Sequence, residues 1–229
     1  MLRINARGKR VLIISDLHIP YSVKGYLRFL KKLKYKFRPE IVINIGDELD
    51  YHDQSMHDSD RDLDSAGVEL NKAIKELQKG LYKLFPKMHL LESNHGSMTL
   101  RRAKKYGIPV RTLRPLPELY GTPGWSWHED LLLLTSQGPV YLCHGKTGAY
   151  GKMVREAGSS CVQGHFHSRF EITYHRGVLG TRYNMFVGCL VDDQSLALAY
   201  GRNSAVRPIL GCGGIKASGE PILFPFWGE

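Results

Sequence analysis

Short apolar runs alternate with longer stretches whose apolar residues recur every three or four positions, so the first half of the chain reads as a succession of strands and helices. The runs at 11–15, 41–45 and 88–91 are dense in Val, Ile and Leu and too short for helices, which predicts buried strands. Between and beyond them, residues 23–36 (followed by Pro39), 67–84 and 98–106 predict helices. This is a βαβαβ beginning. In the second half, residues 131–135 and 140–143 flank a turn at Ser136-Gln137-Gly138-Pro139, and strands follow at 170–174 and 183–187. Residues 209–226 hold two strands around Ala217-Ser218-Gly219. Such content predicts an α/β (α+β) fold of two packed mixed β-sheets flanked by helices. With 229 residues, 42% of them hydrophobic, the chain can bury one sizeable core, so a single domain over 1–229 is expected.

Candidate chemistry follows the strands. Five polar motifs occur in order: Asp16-Leu17-His18, Gly46-Asp47, Asn94-His95, His144-Gly145 and Gly164-His165-Phe166-His167. Three directly follow apolar runs and a fourth comes just after Leu90-Leu91, which sets their side chains at the C-terminal ends of strands, where open α/β sheets place binding crevices. Two divalent cations roughly 3.5–4 Å apart need one bridging carboxylate and a separate set of imidazole, amide and carboxylate ligands for each ion. Asp47 can be the bridge. A hydroxide held between such ions would attack phosphorus, so no protein nucleophile is required. The chain has neither Gly-x-Ser-x-Gly nor a Walker loop.

The ordered set resembles the calcineurin-like metallophosphoesterase superfamily, whose pattern is Asp-x-His, Gly-Asp, Gly-Asn-His, a lone His and Gly-His-x-His. The resemblance spans Asp16 to His167. It implies the two-sheet sandwich, a first metal on Asp16, His18, Asp47 and His167, and a second on Asp47, Asn94, His144 and His165. His95 resembles the family's non-ligand histidine, which touches the phosphate and protonates the leaving oxygen. Two positions depart from the pattern: Ser93 stands where Gly is usual, and Gly96 where an acidic residue often follows the His. Neither removes a ligand, but the second removes the neighbour expected to orient His95. The ligand chemistry permits manganese, foremost, and also iron, zinc or nickel.

A net charge of +10 argues for a polyanionic partner, nucleic acid or nucleotide. Lys24, Arg28, Lys31, Lys32, Lys34, Lys36 and Arg38 load one helical region without an intervening acid, which also suits a solvated helix face. Arg101, Arg102, Lys104 and Lys105 follow the His95 motif at once, so Arg101 or Arg102 is a candidate phosphate clamp, with Lys146 a third cation beside His144. Trp125, Trp127 and Tyr141 are candidates for base stacking, with core packing the alternative for the tryptophans.

The loop after Asp47 is dense in Asp and His, and His52 or Asp50 is expected to touch substrate or to support the ligands. Within it, Asp58, Asp60, Asp62, Asp64 and Glu69 imitate the spacing of a calcium loop, but Leu63 stands where the sharp turn demands Gly, which argues against calcium. Asp64 or Ser65 is the expected N-cap of the next helix.

No apolar run approaches the roughly 20 residues of a membrane span, and Met1-Leu2-Arg3-Ile4-Asn5 has no signal-peptide character, so a soluble cytoplasmic protein is expected. Cys143, Cys161, Cys189 and Cys212 show no Cys-x-x-Cys spacing and are expected to be reduced, buried thiols. The basic composition favours a phosphodiesterase or nuclease, similar to the DNA-repair exonuclease branch. The alternatives are a phosphomonoesterase or protein Ser/Thr phosphatase, to which Gly46-Asp47-Glu48-Leu49-Asp50 bears a faint likeness, and a non-catalytic nucleic-acid-binding module.

Overall fold

The computed structural model describes residues 1–54, 63–195 and 205–228. Twelve strands run in chain order: β1 (Leu2–Asn5), β2 (Val11–Ile14), β3 (Ile41–Asn44), β4 (Met88–Leu91), β5 (Trp125–His128), β6 (Leu131–Thr135), β7 (Gly138–Cys143), β8 (Ser160–Gln163), β9 (Phe170–Gly177), β10 (Gly180–Val187), β11 (Gly211–Ile215) and β12 (Pro221–Pro225). The α-helices are α1 (Tyr26–Phe37), α2 (Ala66–Leu77), α3 (Met98–Lys105), α4 (Leu116–Tyr120) and α5 (Lys152–Ala157). The strands form two six-stranded mixed sheets, ordered β1-β6-β7-β8-β10-β9 and β12-β11-β2-β3-β4-β5.

Alternation along β2 shows why the layers stack as they do. Leu12 and Ile14 join Val42, Leu30, Leu33 and Leu77 in a core between the second sheet and helices α1 and α2. Val11 and Ile13 point the other way, into a core with Ile43, Leu133, Leu142, Val162 and Met185 that fills the space between the sheets. A strand buried on both faces has no polar face to alternate, hence its continuous apolar run. On the outer face of the first sheet, α5 sets Met153 and Val154 against Cys143 and Cys161. The result is two packed sheets with helices outside them.

The βαβαβ beginning lies where the apolar pattern puts it. Some boundaries differ. The turn between β6 and β7 is only Ser136-Gln137, because Gly138 already pairs with Thr135. The helix expected over 67–84 becomes α2 followed by a π-helical turn, Gln78–Tyr82. Ser65 takes the N-cap position of α2. Strands β9 and β10 each extend beyond their apolar centres and meet in a two-residue turn, with Gly177 paired to Gly180. The short strands β1, β5 and β8 and the short helix α5 carry too little periodic signal to be read from sequence. No helix among the described residues is long and apolar enough to cross a membrane.

Glycines in β11 allow the two sheets to approach. A β-carbon at Gly213 would come within 2.4 Å of a Val187 methyl carbon. Replacing Gly213 with Val is therefore expected to force strand or side-chain shifts costing about 1–3 kcal/mol, measurable by urea denaturation.

All four cysteines are buried and free. Burial pushes the Cys143 and Cys161 thiols up to about 12 and shifts Cys189 and Cys212 the same way. Protonated and covered, none is a ready nucleophile at pH 8. Ellman's reagent should titrate no thiol in the native protein and four after denaturation.

Candidate metal centre

The loops leaving the C-terminal ends of β2, β3, β4, β7 and β8 converge at one edge of the sandwich, bringing the five motifs together. The chain turns abruptly there. Asp16, His18, Asp47 and His165 have φ of 51°, 49°, 51° and 65°, the left-handed region that is unfavourable for side chains with a β-carbon. Backbone bonds between neighbouring loops hold these turns: Asp16 N–H donates to Gly46 O at 3.1 Å and His18 N–H to Asp47 O at 2.9 Å. Two glycines permit the interlock. A β-carbon on Gly46 would meet Ser93 Cβ at 2.6 Å and His144 Nδ1 at 2.7 Å, and one on Gly164 would meet Ser15 Oγ at 1.9 Å.

Two groups of donors result. Asp16, His18 and His167 form one, with ligand atoms all within 4.8 Å of one another; Asp47, His144 and His165 form the other by the same measure. His144 links them, since its Nε2 lies 3.1 Å from Asp47 Oδ2, 4.0 Å from Asp16 Oδ1 and 2.7 Å from Asn94 Oδ1. His167 Nε2 is 3.1 Å from Asp16 Oδ1. Asp16 also accepts from the His165 backbone N–H at 2.9 Å.

Electrostatics set the character of the site. Burial alone would raise the Asp16 and Asp47 carboxyls, but His144 above all, with other neighbouring imidazoles, holds both well below the usual carboxylate range. Burial likewise opposes charge on His144, yet Asp47 and Asp16 outweigh it and carry the imidazole up to about 9. Burial lowers His165, and His144 beside it acts in the same direction. Two ionised carboxylates with under 2% exposure thus depend on positive charge held within the site.

The residues fit divalent cations. His18 Nδ1 is engaged by Asp50 Oδ1 at 2.6 Å, while its buried Nε2 has no hydrogen-bond partner and lies 3.9 Å from Asp16 Oδ1 and 3.7 Å from Asp47 Oδ2. A metal-binding imidazole is commonly fixed this way, one nitrogen held by a carboxylate and the other free to coordinate.

His95 sits against this group. Its ring packs edge-on to His18 with centroids 4.7 Å apart, its backbone N–H donates to Asp47 Oδ1 at 3.1 Å, and its Nδ1 bonds to the Asp50 carbonyl. Asp50 therefore orients two histidines, His18 through its carboxylate and His95 through its backbone. That answers the missing acid at Gly96. Ser93 also has a role that glycine could not fill: its hydroxyl oxygen accepts from Asp47 N–H at 3.0 Å and Gly96 N–H at 3.1 Å.

The expected substrate contacts are placed unevenly. Arg101 lies beside the centre, its guanidinium donating to the Asn94 carbonyl at 2.6 Å, and Arg102 is exposed on the same short helix. Lys146 is engaged elsewhere: its ammonium bonds Asp130 at 3.0 Å and Tyr141 Oη at 2.6 Å, so it is not a free cation facing the site. His52 takes the supporting place of the two expected for it, not one facing substrate. It is buried, with Nδ1 2.8 Å from Glu69 and 3.2 Å from Tyr21 Oη, in a group with Asp50 behind His18. Glu69 had signalled only a calcium-like spacing. Asp58, Asp60 and Asp62 of that spacing lie outside the described residues, Asp64 pairs with Lys72 at 2.6 Å, and Glu69 turns inward. Trp125 is core, bonded to Phe85 O at 2.8 Å, and Trp127 donates to Glu48 at 3.1 Å. Glu48, buried beside Asp47, was also missed; burial raises its carboxyl to about 7.

The architecture is shared with a solved structure. An archaeal phosphodiesterase superposes with a TM-score of 0.51 over 95% of this chain and 99% of its own, at 14% identity. Scores are lower for Vacuolar Protein Sorting 29 from Cryptosporidium parvum, at 0.48 with 15% identity over 94% and 86% of the chains. The E. coli phosphoesterase Yfce gives 0.47 with 11% identity over 93% and 96%. No protein-family model matches the sequence, and no curated protein matches it significantly. The two mixed sheets with flanking helices are the calcineurin-like metallophosphoesterase fold.

Asp50→Ala should free the His18 ring without removing a proposed ligand. Manganese affinity measured by calorimetry is expected to fall about 10–100-fold, the usual cost of losing a partner that orients a ligand. Unchanged affinity would show that His18 needs no such support.

Proposed function

We propose that the protein is a phosphoesterase working with two divalent cations, and that its substrates are phosphodiesters of nucleic acid or nucleotides. The observation that carries this reading is the pair of donor groups joined through Asp47 and His144, with the unpartnered His18 nitrogen between two buried carboxylates. Asp16, His18 and His167 would hold one ion, Asn94, His144 and His165 the other, and Asp47 both. Manganese is the first candidate, with iron, zinc and nickel the alternatives. When bound, such ions supply a water of lowered pKa and stabilise charge on the phosphoryl oxygens.

The chain's own groups do the rest. Because the Nδ1 partner of His95 is a carbonyl, which only accepts, Nδ1 carries the proton. A second proton on Nε2 would make the ring an acid for the leaving oxygen, and the Asp50 carbonyl keeps that nitrogen directed away from the loop. Arg101 and Arg102, on α3 immediately after the His95 loop, support a polyanionic substrate, as does the charge of +10. The competing phosphomonoesterase reading takes its support from the hold of Asp50 on His95 within Gly46-Asp47-Glu48-Leu49-Asp50.

Three outcomes test the proposal. Asp47→Ala should remove both metals at once by elemental analysis. His95→Ala should retain them while lowering turnover on the order of 10²–10⁴-fold; activity within a few-fold of the unmodified protein would exclude the acid role. With manganese, bis-p-nitrophenyl phosphate should be cleaved faster than p-nitrophenyl phosphate, and the reverse order would favour the phosphomonoesterase.

A further inference from the structure

The β9–β10 hairpin runs away from the metal centre and ends in Val178 and Leu179, both fully in solvent. Between this hairpin and α5 lies a cleft of about 260 Å³ whose charged lining is entirely basic: Arg155 from α5, with His175, Arg176 and Arg182 from the hairpin. The strand register sets His175 opposite Arg182 and Arg176 opposite Thr181, whose hydroxyl accepts from the Arg176 guanidinium at 3.1 Å. The cleft is tightly closed on its α5 side. Gly151 has φ 63°, and a β-carbon there would come within 2.7 Å of the His175 ring and 2.9 Å of the Arg155 guanidinium.

Two features of the cleft suit an anion. His175 Nε2 is buried without a hydrogen-bond partner. Among the described residues, no carboxylate lies within ion-pair distance of Arg155, Arg176 or Arg182; the nearby Glu156 pairs with Lys152 and Glu171 with Arg169. Arg155 and Arg182, both without a carboxylate partner, share the α5 side of the hairpin with His175, while Arg176 and Thr181 lie on its other face. Two such guanidinium groups beside a recess of this size suit one phosphate, which each can grip by two hydrogen bonds. The exposed ring of Tyr150 packs on His175 with centroids 4.9 Å apart and offers a face at the rim for a base. Strand β9 starts three residues after His167 and reaches the cleft by Arg176, six steps from Phe170, a distance of roughly 20 Å at about 3.3 Å per residue.

We propose that this cleft binds a backbone phosphate of a single-stranded polynucleotide whose reacting phosphate lies at the metal centre. The choice of polymer rests on the reading given under Proposed function; the cleft itself does not. At about 3.4 Å per stacked nucleotide, a strand needs roughly six nucleotides to reach both places. The protein should therefore bind long strands better than short ones through residues remote from the chemistry. An apolar tip with arginines behind it would also suit an anionic membrane, but membrane insertion needs no recessed cleft and no aromatic rim.

The test is fluorescence anisotropy of the full chain in EDTA with labelled 20-nucleotide and 4-nucleotide single-stranded DNA. Changing Arg155 and Arg182 together to Ala should weaken 20-mer binding on the order of tenfold or more. It should also reduce the slope of log affinity against log salt by about 1.4, while leaving the 4-mer unaffected. Arg155→Glu alone, at an exposed position on α5, should act in the same direction and serves if the double variant unfolds. Equal 20-mer binding by folded variants, or no 20-mer binding by the unmodified chain, would overturn the proposal. So would loss of phosphatidylserine-vesicle binding with 20-mer binding intact, which would assign the cleft to a membrane. If the unmodified protein hydrolyses no diester yet the variants lose 20-mer affinity, the cleft stands and the catalytic reading falls.

Discussion

Two carboxylates, Asp16 and Asp47, are buried almost completely where the two sheets meet, and the rest of the site is organised around their charge. An isolated carboxylate in such surroundings would take up a proton; these are held ionised by His144, His18 and His167. Four residues accept a left-handed backbone to bring the donors there, and Gly46 and Gly164 give up side chains so that the loops can interlock. Strain of this kind survives only where surrounding structure over-determines it, and here it coincides with the residues best suited to hold cations.

Support for the histidines comes from a residue outside the five ordered motifs. Asp50 fixes His18 by its carboxylate and His95 by its carbonyl, so one short loop couples a proposed ligand to a proposed acid. Ser93 works similarly from the other side, tying Asp47 and Gly96 to one hydroxyl. Both departures from the familiar pattern are thus answered within a few residues of the centre. The buried pair His52 and Glu69 lies behind Asp50 and completes a second layer.

Much of this was legible because its signals are local. The apolar runs of β2, β3 and β4 locate the sheet, and the polar residues that follow each run name the donors. What escaped depends on contacts between distant segments. Strand β8, Ser160–Gln163, is fully buried yet begins with Ser and ends with Gln, so composition does not betray it. His52 reads as a loop residue until Glu69, on the following helix, is seen to cover it. Lys146 reads as a free cation until Asp130 and Tyr141 are brought beside it by the β6–β7 hairpin. A backbone carbonyl such as that of Asp50 has no signature in a sequence at all.

The position of β11 has a consequence in time. It lies beside β2, with Gly213 paired to Ile13, although about 200 residues separate them. At the usual pace of synthesis, roughly 5–20 residues per second, β2 emerges and can pair with β3 some 10–40 seconds before its other neighbour exists. For that interval one edge of a wholly apolar strand has no partner in the chain. Nascent protein should therefore be more prone to intermolecular strand pairing than the finished molecule, and slowing translation late in the message should worsen its yield.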